Sequence, residues 1–172
     1  MRAFLESLNR GVALVTPSRR MASLVSDRYH ASMLAAGHTT WEAPRVLPFA
    51  AWLNETFQHL AITRYAEYAE KILLSPDQER VLWEQVVREG SVFKVDPVEH
   101  MAVLAMNAWS TAMLWELPFD EIVRRGGRQE VRAFIHWVSR FEQRCSDLNA
   151  LDQYTFALRL AALGSPPFRV PA

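Results

Sequence analysis

Residues 12–18, Val-Ala-Leu-Val-Thr-Pro-Ser, constrain this chain more than any other stretch. A short, apolar, β-branched run bounded by a turn signal reads as a buried strand. Pro17 has no backbone N–H, so a ladder ends there, and Ser18 is a favoured helix N-cap. Behind it Met21, Leu24, Val25, Tyr29, Met33 and Leu34 recur at helical spacing, and Gly37 supplies the stop. Strand, tight turn and helix in that order make half of a βαβ unit.

The remainder reads mostly as helix. Pro44 and Pro48 break any helix around them, so Thr39–Trp41 and Arg45–Leu47 are candidates for extended chain. Arg45-Val46-Leu47 could lie parallel to the first strand. From Phe49 onward Trp52, Leu53, Phe57 and Leu60 return to helical spacing. Ser75-Pro76-Asp77-Gln78-Glu79 is a helix start, with Ser at the N-cap, Pro at the first position and acids in the first turn. It predicts a helix burying Val81, Leu82, Trp83 and Val86 and ending at Gly90. Asp96-Pro97 repeats the signal before a helix through Met101, Leu104, Ala105, Ala108, Trp109, Ala112 and Leu114, which ends by Pro118. Arg124–Arg128 is a basic loop broken by two glycines. Val131, Phe134, Ile135, Trp137, Val138 and Phe141 mark a helix to about Leu148. Asn149-Ala150 is then the turn, and Asp152 caps a last helix through about Leu163. Residues 3–10 could add a short amphipathic helix stopped by Gly11.

These signals predict a mostly α fold with a small α/β part: a partial α/β lobe at 1–63, a helical lobe at 64–163 and a linker at 164–172. The Gly-Ser-Pro-Pro run at 164–167 suggests that the chain is the N-terminal fragment of a longer protein.

Charge and composition exclude several function classes. Nineteen Lys and Arg balance nineteen Asp and Glu, which removes a polybasic binder but not a local basic patch. No apolar run approaches the ~18 residues of a membrane span. The N-terminus lacks a signal-peptide core. The one cysteine, Cys145, cannot form an internal disulfide or a thiolate metal cage. A soluble, reducing, cytoplasmic setting is expected.

Familiar chemistry is missing from the sequence. It holds neither a G-x-x-x-x-G-K-[ST] loop nor a G-x-G-x-x-G turn. The five histidines, at 30, 38, 59, 100 and 136, do not stand at metal-ligand spacing. Cys145 has no nearby activating partner and reads as a half-buried small hydrophobe. The acidic pairs Asp120-Glu121 and Glu67/Glu70 read as solvated helix faces. No catalytic, cofactor-binding or metal-binding residue is therefore assigned, and the chain is not expected to be an enzyme. Trp52, Trp83, Trp109, Trp115 and Trp137 lie in helical patterns. They suit a core, or for one or two of them a base-stacking platform.

Three segments, in order, resemble one family. Val12-Ala-Leu-Val-Thr-Pro-Ser-Arg-Arg-Met-Ala22 resembles motif Ia of superfamily 1 helicases of the UvrD/RecB type. Val46-Leu-Pro-Phe-Ala-Ala-Trp-Leu53 resembles the next family segment, a strand ending in Thr/Ser-Phe before a helix. Asn149-Ala-Leu-Asp152 resembles the N-x-L-D helix start late in the helical insertion domain. Leu74–Trp83 adds a likeness to AddB-like subunits of ATP-dependent exonuclease complexes in recombination, and to DNA repair proteins with a degenerate motor and a nuclease domain downstream. The chain departs from the pattern in having no room for Walker A before residue 12, no motif II acids, and Pro48 where the family has Thr or Ser. Gln153, Tyr154 and Thr155 also replace its acids after Asp152.

The resemblance implies incomplete RecA-like strand–helix units plus an all-helical insertion-type lobe, used without motor chemistry. It implies a single-stranded DNA track at Thr16, Pro17, Ser18, Arg19 and Arg20, with a second contact at Pro48 and Phe49. Exposed N–H groups at a helix N-terminus attract phosphate, two arginines add charge, and Phe49 can stack a base. The loop Arg124–Arg128 is a separate phosphate-contact candidate. Against this stands the plainer reading, in which Ser18 only caps, the arginines face solvent and Phe49 is core. Two functions follow: a non-catalytic DNA repair scaffold with a basic strip joining 16–20 to 45–49, or a helical docking module with an exposed apolar patch. Its partners would be downstream domains of its own chain, such as a nuclease domain, or a partner helicase subunit. A self-contained enzyme would need a titratable pair clustered in a cleft.

Overall fold

The computed structural model describes residues 12–63, 67–90, 97–124 and 128–162. The fold is mostly helical, with two small parallel two-stranded sheets. Contacts divide the chain into two units between His59 and Leu60, slightly before the expected boundary at 63/64.

The first unit holds β1 (Leu14–Thr16), α1 (Arg19–Ala35), β2 (Val46–Pro48) and most of α2 (Phe49–Ile62). β1 and β2 pair in parallel, with Leu14 opposite Val46, Val15 opposite Leu47 and Thr16 opposite Pro48. The second strand is thus the expected Arg45–Leu47 segment shifted by one residue, and Thr39–Trp41 forms no strand. Pro48 is tolerated because it closes the strand, where no ladder N–H is needed.

Helix α1 starts where the sequence places it. Ser18 is extended and its Oγ accepts the Met21 N–H at 3.3 Å. At the other end Gly37 sits at φ 82°, its N–H bonded to the Leu34 carbonyl at 3.0 Å, and the His38 N–H reaches the Met33 carbonyl at 3.1 Å. That left-handed residue is why glycine ends this helix. The expected buried stripe is narrower than its spacing implies. Ala22 and Tyr29 are buried, whereas Met21, Leu24 and Leu34 are exposed, because two short strands cover little of a 17-residue helix.

The second unit holds β3 (Ile72–Leu73), α3 (Pro76–Gly90), α4 (Val98–Leu114), α5 (Phe119–Arg124), α6 (Gln129–Asp147), β4 (Ala150–Leu151) and α7 (Gln153–Ala162). α3 begins with a capping box: the Ser75 Oγ accepts the Gln78 N–H at 3.3 Å and the Ser75 N–H donates to Gln78 Oε1 at 2.9 Å. α4 begins at Val98, with Pro97 at the N-cap and no side chain capping it. Leu148 and Asn149 make the turn after α6, Asn149 at φ 50°, and Ala150 already belongs to β4. Glu67 and Glu70 stand in a turn and not on a helix.

The core of this unit is aromatic. Trp83 of α3 stacks on Phe141 of α6 with centroids 4.3 Å apart, and Trp109 of α4 closes against both. Val86, Val87, Ala102, Ala105, Trp137 and Val138 complete the packing. Small residues on α4 let α3 approach closely, and Gly90 does the same for α6. A Cβ built on Gly90 would lie 2.8 Å from Trp137 Cδ1. Val81, expected inside, is 44% exposed, since the buried face runs through positions 79, 82, 83, 86 and 87.

Residues 3–10, Leu163, the linker at 164–172 and the glycines of the Arg124–Arg128 loop lie outside the described residues. Arg124 ends α5 and Arg128 precedes α6. Among the described residues no helix is long and apolar enough to cross a membrane.

Candidate functional site

The parallel register decides where the expected contact residues go. Thr16 lies opposite Pro48, so the turn after β1 and the start of α2 leave the sheet side by side. All seven expected residues converge at the carboxyl ends of the two strands. In open α/β sheets ligands bind at that edge.

Their roles there differ. Thr16 is 4% exposed, and its hydroxyl donates to the Ser18 and Leu47 carbonyls at 3.1 and 3.3 Å. It shapes the turn and ties it to β2; its side chain presents nothing outward. Pro17, Ser18, Arg19 and Arg20 are exposed. Ser18 caps Met21, and the first turn of α1 carries the two exposed arginines. α1 has no acid in its first turn to compete for that positive end. Pro48 has neither hydroxyl nor N–H and offers no hydrogen bond to a phosphate. Phe49 is 36% exposed and stacks on Trp52 at 6.0 Å with 28° between the rings. It is neither pure core nor free.

The expected basic strip is only partly present. Arg45 is tied to Glu55 at 2.8 Å, so the positive charge at this edge comes from Arg19 and Arg20. His30 accepts the Trp41 indole N–H at 2.8 Å, a structural use of that histidine.

The tryptophans divide in the same way. Trp83, Trp109 and Trp137 are buried, which removes them as stacking platforms. Trp115 is 75% exposed, next to Leu114 at 63% and near Leu117 at 43%.

A second group of side chains was not foreseen from the sequence. Glu79 of α3 is 4% exposed, and its Oε1 has no hydrogen-bond partner. Burial, and then the charge of Asp152, raise its pKa from 4.5 to about 7. The Trp83 indole lies close enough to oppose that shift, but its Nε1 makes no hydrogen bond of normal geometry. A place in the first turn of α3 favours the anion by about 0.5 kcal/mol. The shift itself corresponds to roughly 3 kcal/mol, so burial wins.

Asp152 is buried too, but three donors satisfy its carboxyl. The Tyr154 and Thr155 N–H groups each reach Oδ1 at 3.0 Å, and the Thr155 hydroxyl donates to Oδ2. Cys145 is pushed to about 12 by burial and by the neighbouring carboxyls of Asp152, Glu79 and Glu142, so its thiol stays protonated. Glu142 is also raised, by burial and by Asp152. Glu142, Cys145, Asp152, Lys71 and Arg159 line a cavity of about 220 Å³ floored by Trp109 and Phe141. Both cations are engaged: Arg159 pairs with Glu67 at 2.8 Å, and Lys71 donates to Asn149 Oδ1 at 3.2 Å. Among the described residues no three His, Cys, Asp or Glu side chains are placed to hold a metal ion. The signal for Glu79 lay in the spacing: it stands three and four residues before Leu82 and Trp83, on their face.

No protein-family model, curated protein or solved structure matches the chain.

Proposed function

We propose that the chain is a non-catalytic, helicase-like scaffold of a DNA repair protein that contributes to binding single-stranded DNA. One observation carries this reading: the Pro17–Arg20 turn and Phe49 stand together at the carboxyl ends of β1 and β2. The open N-terminus of α1 and two exposed guanidinium groups suit a phosphate. The half-exposed Phe49, braced by Trp52, suits a base face. With net charge zero, no overall positive field adds to this edge, so affinity is modest and salt-sensitive. Downstream domains of a longer chain, including a nuclease, or a partner helicase subunit would supply the chemistry.

Photo-cross-linking of a single strand carrying 5-iodouracil tests the assignment. Adducts on Phe49 or Trp52 are expected. Adducts confined to the second unit would overturn it.

The exposed run Leu114, Trp115 and Leu117 favours a second reading, a helical docking module without nucleic-acid contact. Under that reading no adduct forms, and Trp115→Ala weakens capture of the downstream part of the chain.

A further inference from the structure

Glu79 and Asp152 are two buried carboxyls with opposite surroundings. Asp152 caps α7 and receives three donors. Glu79 receives none at Oε1, although it is 96% withdrawn from solvent by its 4% exposure. An ionised carboxylate needs donors or water, while a neutral carboxyl tolerates the site far better. The missing donor at Oε1 thus favours the neutral form of Glu79.

We propose that the Glu79 carboxyl is a proton switch within residues 60–167: neutral, it lets α3 pack closely on α4 and α6; ionised, it places an unpaired charge inside that packing and loosens it. Other groups around the junction do not neutralise the new charge. From α6 come Glu142, of the same sign, and Cys145, protonated at all ordinary pH. Lys71, ahead of β3, and Arg159 of α7 have partners in Asn149 and Glu67. On α3 itself Arg80 pairs with Glu84. From α4 Trp109 packs against Trp83 of α3, and its indole N–H is itself unpartnered. The only charged or titratable residues of α4 are Glu99 and His100, exposed at its start.

The sign follows from linkage. Glu79 binds its proton more tightly folded than unfolded, so stability is greatest below the unfolded value of 4.5 and is lost as pH rises through about 7. Between pH 5.5 and 8 the folding constant falls on the order of 30-fold from this group.

The test compares the full chain with its Glu79→Gln variant across pH 5.5–8.5. The difference in stability between the two is expected to grow with pH and to bend near 7. Exchange protection of the Val86 and Val87 amides, corrected for intrinsic rate, should fall with pH in the parent only. A difference that does not vary with pH would overturn the proposal. Should the variant fail to fold, carboxyl carbon NMR of the parent decides: one Glu titrating near pH 7 supports the switch, and every Glu titrating below pH 5.5 overturns it.

Discussion

Thr16 faces Pro48 across the parallel ladder, and the Thr16 hydroxyl reaches past it to the Leu47 carbonyl at 3.3 Å. One buried side chain therefore fixes the distance between the two turns that carry Arg19, Arg20 and Phe49. Replacing it with the near-isosteric Val removes the donor without opening a cavity. Thr16→Val is expected to cost about 1 kcal/mol in urea unfolding. Ser18→Ala, which uncaps α1, should cost about 1 kcal/mol as well. An unchanged midpoint in both would mean that the turn is not held this way.

Gly90→Ala gives a sign that helix propensity alone would get wrong. Alanine is favoured over glycine inside a helix by about 1 kcal/mol. Here its Cβ would meet Trp137 Cδ1 at 2.8 Å, against a ring packed in the core. Overpacking of that kind costs about 1–3 kcal/mol, so a net loss is expected by the same unfolding measurement. A gain in stability would show that α6 can yield.

Cys145 gives a chemical readout of the second unit. Its thiol is 8% exposed and raised to about 12, so almost no thiolate exists at pH 8. Iodoacetamide labelling of the native chain should run at least roughly 100-fold slower than in guanidinium. A native rate within a factor of ten of the denatured one would place the thiol in solvent.

Much of this was legible in the sequence where one residue type has one physical use. Pro17, Ser18 and Gly37 punctuate α1, Ser75-Pro76 opens α3 and Asp152 caps α7, each by local hydrogen bonding that needs no tertiary context. The two-residue strands β3 and β4 carry no period to read, and their pairing joins residues far apart in the chain. Burial was read less well. Met21, Leu24, Leu34 and Val81 obey helical spacing but stay substantially exposed, while Glu79 looks like an ordinary first-turn acid until its face is drawn. The convergence of the seven contact residues depends on the register of β1 and β2. The sequence suggested parallel pairing but could not set the alignment.

The most direct test of the account is a fluorescence anisotropy titration with a labelled single strand of ~20 nucleotides, a length that exceeds the span of one such binding site. It is run at two salt concentrations, for the parent and for Arg19→Ala/Arg20→Ala. The account predicts modest binding that weakens with salt and falls at least tenfold in the double variant, with a shallower salt slope. Absence of binding at low salt, or equal binding by the variant, would contradict a nucleic-acid track at the Thr16 turn.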